Sequence, residues 1–244
     1  MSARQIFSIT IFSFIFLFSV QSFSQRFLGA ISAGMNLSQV DGDEKYGFNK
    51  VGLNIGPSVI FPFGKNKQWS VTMELLFSQE GSWQKSTYPA QNIPVDSNYK
   101  GYYDGYRLSL NYIQVPLIFH YTDKRIMAGG IGFVYGQLVS VSEYEDHNDA
   151  RGLFRTTTSL SGPYSKSDYQ VLADVRVRLW QKLWLNVRYS YSMKLIRTRE
   201  FTNPLDPNDQ WTRKQYNNVI SIRLVYIFND LLPNKKKKKT DDNE

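Results

Sequence analysis

Apolar and polar side chains alternate along most of this chain in eight segments. Alternation at period 2 describes a strand with one apolar and one polar face. The first segment runs from Phe27 to Ser38, with Ile31, Ala33, Met35 and Leu37 opposite Ala30, Ser32, Gly34 and Asn36. The second sets Val51, Leu53, Ile55, Val59 and Phe61 against Gly52, Asn54, Gly56 and Ser58. The third sets Trp69, Val71, Met73, Leu75 and Phe77 against Ser70, Thr72, Glu74, Ser78 and Glu80. The fourth, Tyr106 to Tyr121, slips phase once. Leu108, Leu110 and Tyr112 hold its apolar face first, and Val115, Leu117 and Phe119 take it over beyond Ile113. A β-bulge near Pro116 would supply the extra residue. The fifth, Ile126 to Val139, places Ile131, Phe133 and Tyr135 opposite Gly130, Gly132 and Gly136. The sixth alternates most cleanly, Tyr169, Val171, Ala173, Val175, Val177 and Leu179 against Asp168, Gln170, Asp174, Arg176 and Arg178. In the seventh, Leu185, Val187, Tyr189, Tyr191 and Met193 oppose Asn186, Arg188, Ser190, Ser192 and Lys194. The eighth opposes Tyr216, Ile220, Ile222, Leu224, Tyr226 and Phe228 to Asn217, Ser221 and Arg223.

The connections alternate as well. Pro62–Gln68, Thr122–Arg125 and Gln181-Lys182 are tight turns, whereas Ser82–Gly105, Ser140–Lys166 and Arg197–Lys214 are long. An even number of long strands with alternating connections is the pattern of outer-membrane barrels. A soluble barrel of the lipocalin kind would turn the same apolar face inward instead. Three features decide for the membrane. The polar face carries Glu74, Asp174, Arg176, Arg178, Arg188, Lys194 and Arg223, which pair inside a barrel that eight strands leave nearly filled. Aromatics cluster at strand ends, as interfacial girdles require: Trp69, Tyr106, Tyr112, Tyr121, Trp180, Trp184, Tyr216, Tyr226 and Phe228. The last strand ends on an aromatic, Phe228. The predicted fold is therefore all-β, an eight-stranded antiparallel transmembrane β-barrel of the OmpA/OmpX kind, with short turns and both termini periplasmic and long loops extracellular.

The N-terminus explains how such a chain reaches that membrane. Arg4 precedes an apolar stretch from Ile6 to Val20, and Ser22-Phe23-Ser24 places small residues before Gln25. This is a cleavable signal peptide over residues 1–24. Its apolar stretch is shorter than the roughly 20 residues of a spanning helix. The barrel domain then occupies 25–228 and a lysine-rich periplasmic tail 229–244. There is no cysteine, so lipoprotein acylation and disulfides are excluded. The mean hydropathy of −0.38 fits a barrel whose two strand faces offset each other. The formal charge of +8 becomes +7 once Arg4 leaves with the leader, and much of it lies in Lys235–Lys239. That run is a solvated tail or an electrostatic contact for lipid head groups or an acidic partner. Nucleic acid is not a partner for an exported chain.

The residues offer little chemistry. Only two histidines occur. His120 lies on the polar face and reads as a hydrogen-bonded lumenal residue. His147 lies in Glu143–Asp149, which could hold a divalent cation but matches no calcium-loop spacing and reads as a solvated acidic loop. Asp41-Gly42-Asp43-Glu44 reads the same way. No nucleophile–base arrangement, phosphate-binding glycine loop or metal-ligand spacing is evident. We expect no catalytic residue, cofactor or metal.

Several segments resemble the PorT-type outer-membrane barrels of Bacteroidota, a family within the outer membrane protein beta-barrel domain. Gly34-Met35-Asn36-Leu37-Ser38 with Asp41-Gly42-Asp43 is similar to their first strand and loop. Lys50-Val51-Gly52-Leu53 leading to Gly56 is similar to their second, and Glu74-Leu75-Leu76-Phe77-Ser78-Gln79 before Gly81 to their third. Leu110-Asn111-Tyr112-Ile113-Gln114-Val115-Pro116-Leu117 resembles their fourth-strand signature, followed by the glycine-rich Gly129–Gly132. The resemblance covers about Phe27 to Phe228 and implies a non-enzymatic accessory of type IX protein secretion or gliding motility. Its partners would then be secretion or motility proteins met through loops or tail, besides outer-membrane lipid. A generic envelope-integrity or adhesion barrel and a narrow channel are the alternatives.

Overall fold

In hydrocarbon no water satisfies an exposed backbone N–H or C=O, so strands survive there only if their sheet closes on itself. This sheet closes. The computed structural model describes residues 27–43, 47–64, 66–85, 105–149, 152–158, 162–203 and 206–228. The predicted leader, Glu44, the side chain of His147 and the tail with Lys235–Lys239 lie outside the described residues or side chains. Eleven strands are described: β1 (Leu28–Asp41), β2 (Lys50–Phe63), β3 (Trp69–Glu74), β4 (Leu76–Gln84), β5 (Tyr106–Asp123), β6 (Met127–Asp149), β7 (Gly152–Thr158), β8 (Ser167–Arg178), β9 (Leu183–Ser192), β10 (Arg197–Asn203) and β11 (Asp206–Ile227). They make an antiparallel ring of eight staves, β1, β2, β3 with β4, β5, β6, β8, β9 and β11, sealed by β1 on β11 from Ala30↔Ile227 to Asp41↔Tyr216.

β3 and β4 are one stave. Its register against β2 is continuous, Ser58↔Glu74 and Asn54↔Ser78, and so is its register against β5. The pairing lapses at Leu75 and Leu76 toward β2 and at Glu74 and Leu75 toward β5, where Pro57 and Pro116 lie alongside and neither has an N–H to give. Inward glycines let neighbouring staves approach closely. A Cβ at Gly34 would lie 2.1 Å from the Ile222 carbonyl oxygen.

The outer face is apolar over the middle of the staves, with Ile131 69% and Phe133 67% exposed. One end of the barrel carries the tight turns Gly64–Gln68, Lys124–Ile126 and Leu179–Lys182, and we call it the short-turn end. At the other, long-loop end, β6 runs on past the ring and pairs with β7, while β10 pairs with β11 from Arg197↔Gln215 onward. Two of the three predicted long loops are thus largely β-hairpins. Among the described residues β7 pairs with β6 alone and β10 with β11 alone, so the ring is open there.

The fourth segment does not slip. Every even residue of β5 from Tyr106 to His120 points inward, and Leu108, Leu110 and Tyr112 are fully buried. Polarity inverts along the strand rather than phase: toward the long-loop end the inward residues are apolar and the outward ones are Arg107, Ser109 and Asn111. The bulge exists, but on β6. Asn111↔Ser140 is followed by Tyr112↔Leu138, which leaves Val139 unmatched, and beyond it the inward positions of β6 change from even to odd.

Candidate functional site

The lumen is stacked in layers between two apolar plugs. At the short-turn end Ala30, Ile60, Trp184, Val225 and Ile227 pack together. At the long-loop end Val40, Tyr106, Leu108, Leu110, Tyr112, Leu138, Val141, Tyr164 and Ile196 do the same.

Between the plugs sits an ionic layer built by regular alternation of β3, β8, β9 and β11. Glu74 accepts from Arg176 at 3.1 Å, from both terminal nitrogens of Arg188 at 2.9 and 3.1 Å, and from Arg223 at 3.1 Å. Asp174 accepts from Arg188 at 3.0 Å and pairs with His120 Nε2 at 2.8 Å. Arg223 also donates to Asn186 and Asn54. Three guanidiniums therefore share two carboxylates through charge-assisted hydrogen bonds, while the buried Nε groups of Arg176 and Arg188 have no hydrogen-bond partner.

A second polar layer follows toward the long-loop end. Glu80 accepts from Gln114 at 2.7 Å, Ser78 at 3.0 Å and Gln170 at 3.2 Å. Asp168 accepts from Ser192 at 2.7 Å, Asn217 at 2.9 Å and Gln170 at 2.9 Å. The sequence reading passed over Gln114, Gln170 and Asn217 as partners, although each falls on an inward position of its stave.

At the outer edge of the long-loop plug (the upper plug), sharing Tyr106 and Tyr164 with it, a third cluster centres on Glu143. Arg197 donates to it at 2.8 and 2.9 Å, Tyr106 at 2.8 Å and Tyr164 at 2.5 Å, with Arg199 at 3.8 Å. Arg197 is held in turn by Gln215 at 2.8 Å and lies over the Tyr164 ring. Burial by itself would raise the Glu143 carboxyl, but the Tyr164 hydrogen bond, the Arg197 cation and the Tyr106 hydroxyl hold it below the usual carboxylate range. Burial pushes the Tyr106 and Tyr164 hydroxyls well above theirs.

Several expectations change here. The acidic stretch at Glu143 is not a solvated loop, because it is strand β6 with Glu143 buried; the Cβ alternation past the bulge turns that side chain inward. Asp43 is buried too, and Asp41 accepts from Gln39 at 2.8 Å. Of the residues expected in one lumenal network, the structure brings Glu74, Asp174, Arg176, Arg188 and Arg223 together. Arg178 sits at the short-turn rim, where it donates to the carbonyls of Arg125 and Gln181 and covers the Trp184 ring. Lys194 donates to Ser167 at 2.7 Å at the long-loop end. Of the expected girdle, Trp69, Tyr121, Trp180, Tyr226 and Phe228 are exposed, Trp180 most of all. Trp184, Tyr106 and Tyr112 are not girdle residues: they face inward and plug the lumen. Tyr135, Tyr169 and Tyr189 are exposed on the outer surface toward the long-loop end, and Tyr135 and Tyr169 pack at 5.5 Å.

One hydrogen-bond chain has the form of a catalytic relay. Thr72 Oγ1 lies 3.1 Å from His120 Nδ1, and His120 Nε2 lies 2.8 Å from Asp174. All three are sealed from solvent, and Asp174 is shared with Arg188. No substrate can reach the hydroxyl, so the chain orders the lumen.

A filled lumen inside a closed, lipid-faced ring is the arrangement of a small outer-membrane barrel. The sequence profile of the outer membrane protein beta-barrel domain matches residues 20–196. The chain belongs to that family. No curated protein matches it. Among solved structures it is similar to the attachment invasion locus protein Ail of Yersinia pestis, in complex with the heparin analogue sucrose octasulfate. There the identity is 14% and the TM-score 0.42, over 83% of this chain and 99% of that one. It is also similar to Neisserial surface protein A, at 10% identity and a TM-score of 0.39 over 83% and 96% of the two chains. The outer membrane protease OmpT of Escherichia coli aligns at 12% identity and a TM-score of 0.36 over 84% and 94%.

Proposed function

We propose that this chain is a non-enzymatic outer-membrane barrel that serves as an interaction component of protein secretion or gliding motility. Its long-loop end faces the outside and both termini face the periplasm. The observation that carries this reading is the double plug: with Leu108, Leu110 and Tyr112 across one end and Trp184, Val225 and Ile227 across the other, the lumen offers no path for a solute. What remains available to a partner is the rim, the tail and the hairpins β6–β7 and β10–β11 that rise beyond the ring. The resemblance to PorT-type barrels supplies the secretion and motility context. The test is a deletion strain together with mild-detergent affinity purification of the tagged chain. Impaired cargo export or surface motility and co-purification of envelope machinery are expected. Normal export and motility with envelope-stress sensitivity alone would replace this reading with that of a generic envelope barrel. Planar-bilayer recordings of the purified protein are expected to show no conductance.

A further inference from the structure

The short-turn end concentrates exposed cations where they strain the backbone. The turn Asp123-Lys124-Arg125-Ile126 is closed by the Ile126 N–H on the Asp123 carbonyl at 3.0 Å, with φ of +44° at Lys124 and +58° at Arg125. Two successive positive φ values make a type I′ turn, which asparagine and glycine favour. The neighbouring turn holds Lys67 at φ +54°. Left-handed backbone at a non-glycine residue needs a compensating reason, and function is the first to consider. Here three such positions are all cationic.

The three cations converge. Asn66, Lys67, Gln68, Thr122, Lys124 and Arg125 line one open depression of about 460 Å³. The Thr122 N–H donates to the Gln68 carbonyl at 2.7 Å and ties its two walls together. Arg178 Nε holds the Arg125 carbonyl at 2.7 Å from behind. Asp123 is the acidic neighbour on the same turn, so three cations against one carboxylate leave a net +2.

The depression also has a fixed depth. Trp69 follows Gln68 and Tyr121 precedes Thr122, and their exposed rings pack at 4.7 Å, with Phe119 beside Trp69 at 5.1 Å. Such aromatics sit at head-group level. The cations lie farther out, Lys67 two residues from Trp69 and Lys124 and Arg125 three and four from Tyr121; at about 3.3 Å per strand residue that sets them beside the phosphates. We infer that Lys67, Lys124 and Arg125 form a binding site for the phosphate head group of an anionic phospholipid, with its acyl chains along Trp69, Tyr121 and Phe119. Asn66, Gln68 and Thr122 supply hydrogen-bonding groups for the glycerol or ester oxygens. The site rests on this end meeting a bilayer surface and not on the secretion reading.

The test uses the delipidated full chain and native mass spectrometry with phosphatidylglycerol, phosphatidylcholine or lipid A as probe. The wild type is expected to retain phosphatidylglycerol in preference to both others. Lys124→Asn with Arg125→Gly gives the turn its favoured residues, so heat-modifiable migration should persist while the preference over phosphatidylcholine falls at least tenfold. Each basic group near a bilayer surface contributes roughly fivefold. Lys67→Asn, on the other turn, should lower the preference by about that single factor and provides the second reading if the double variant misfolds. Unchanged retention in the variants, equal retention of phosphatidylcholine, or tighter binding of lipid A would each overturn the assignment.

Discussion

Glu74 and Glu143 are both buried carboxylates met by arginines, yet they are held in different ways. The arginine partners of Glu74, Arg176, Arg188 and Arg223, stand on β8, β9 and β11, neighbouring staves whose register the closed ladder fixes. Glu143 gathers Tyr106 from β5, Tyr164 from the segment between β7 and β8, and Arg197 from β10, where the ring has opened. In the lower cluster the fold positions the ions. In the upper one the ions join the paired strands β5 and β6 to β10 and to the segment at Tyr164, which stand on no ladder with them. The first should therefore govern whether the barrel exists, and the second how its long-loop end is closed.

The sharpest way to break this contrast is to remove each carboxylate. Glu74→Ala leaves three buried guanidiniums with Asp174 as their one remaining carboxylate, and breaking a buried ionic network in this way costs about 3–5 kcal/mol. We expect denaturant unfolding in detergent to shift by that amount and the heat-modifiable band to weaken. If Glu74→Ala costs no more than Glu143→Ala, the lower cluster is not what the ring is built around.

Between the two clusters lies the upper plug, and Leu110→Ala tests whether it separates them. Emptying a fully buried leucine site costs about 3 kcal/mol, with the loss read from the same unfolding curves. Leu108→Ala with Leu110→Ala together should also admit a small-ion leak in planar bilayers that the wild type lacks. A tight, equally stable double variant would mean that Tyr164 and Ile196 close the mouth without them.

The plug also marks where the sequence stops being readable. Over the lipid-facing middle the outward positions are apolar and the inward ones mostly polar, Leu76 and the buried cluster of Ile118, Val134 and Leu172 apart, so the ring and the inward phase of Glu74, Asp174, Arg176, Arg188 and Arg223 were legible. Beyond the lipid the outside is wet, and the interior still has to be filled. On β5 the same phase therefore carries Leu108 and Leu110 inward and Ser109 and Asn111 outward, which a single rule reads as a slip. The true slip, at Val139, was hidden because it falls where exposed Val139 and Ser140 carry no contrast. Trp184 misleads for a related reason: an aromatic at a strand end serves a girdle or a plug, and only its parity on β9 decides. Tyr164 had no signal, since it reaches Glu143 from an irregular segment with no period to read.

The smallest effect, and the one most specific to the open end, is the titration of Glu143. Glu143→Gln keeps the shape but weakens charge-assisted bonds from Arg197, Tyr106 and Tyr164, for an expected loss of about 2 kcal/mol. The sign with pH follows from the direction of the shift. The Glu143 carboxyl sits below its ordinary value of 4.5 when folded. Its contribution is therefore complete above that value and is lost as pH falls through the lower, folded one. Arg197 stays charged throughout, its own value being raised further, so within this pair the carboxyl is the group that titrates. Hydrogen exchange in β10 and around Tyr164 should accelerate there, relative to exchange in β8 and β9, once the intrinsic pH dependence is removed. In Glu143→Gln the same amides should already exchange fast and show no such step. A step that survives the substitution would assign the acid sensitivity of this end to another group and would leave the two hairpins joined by packing rather than by charge.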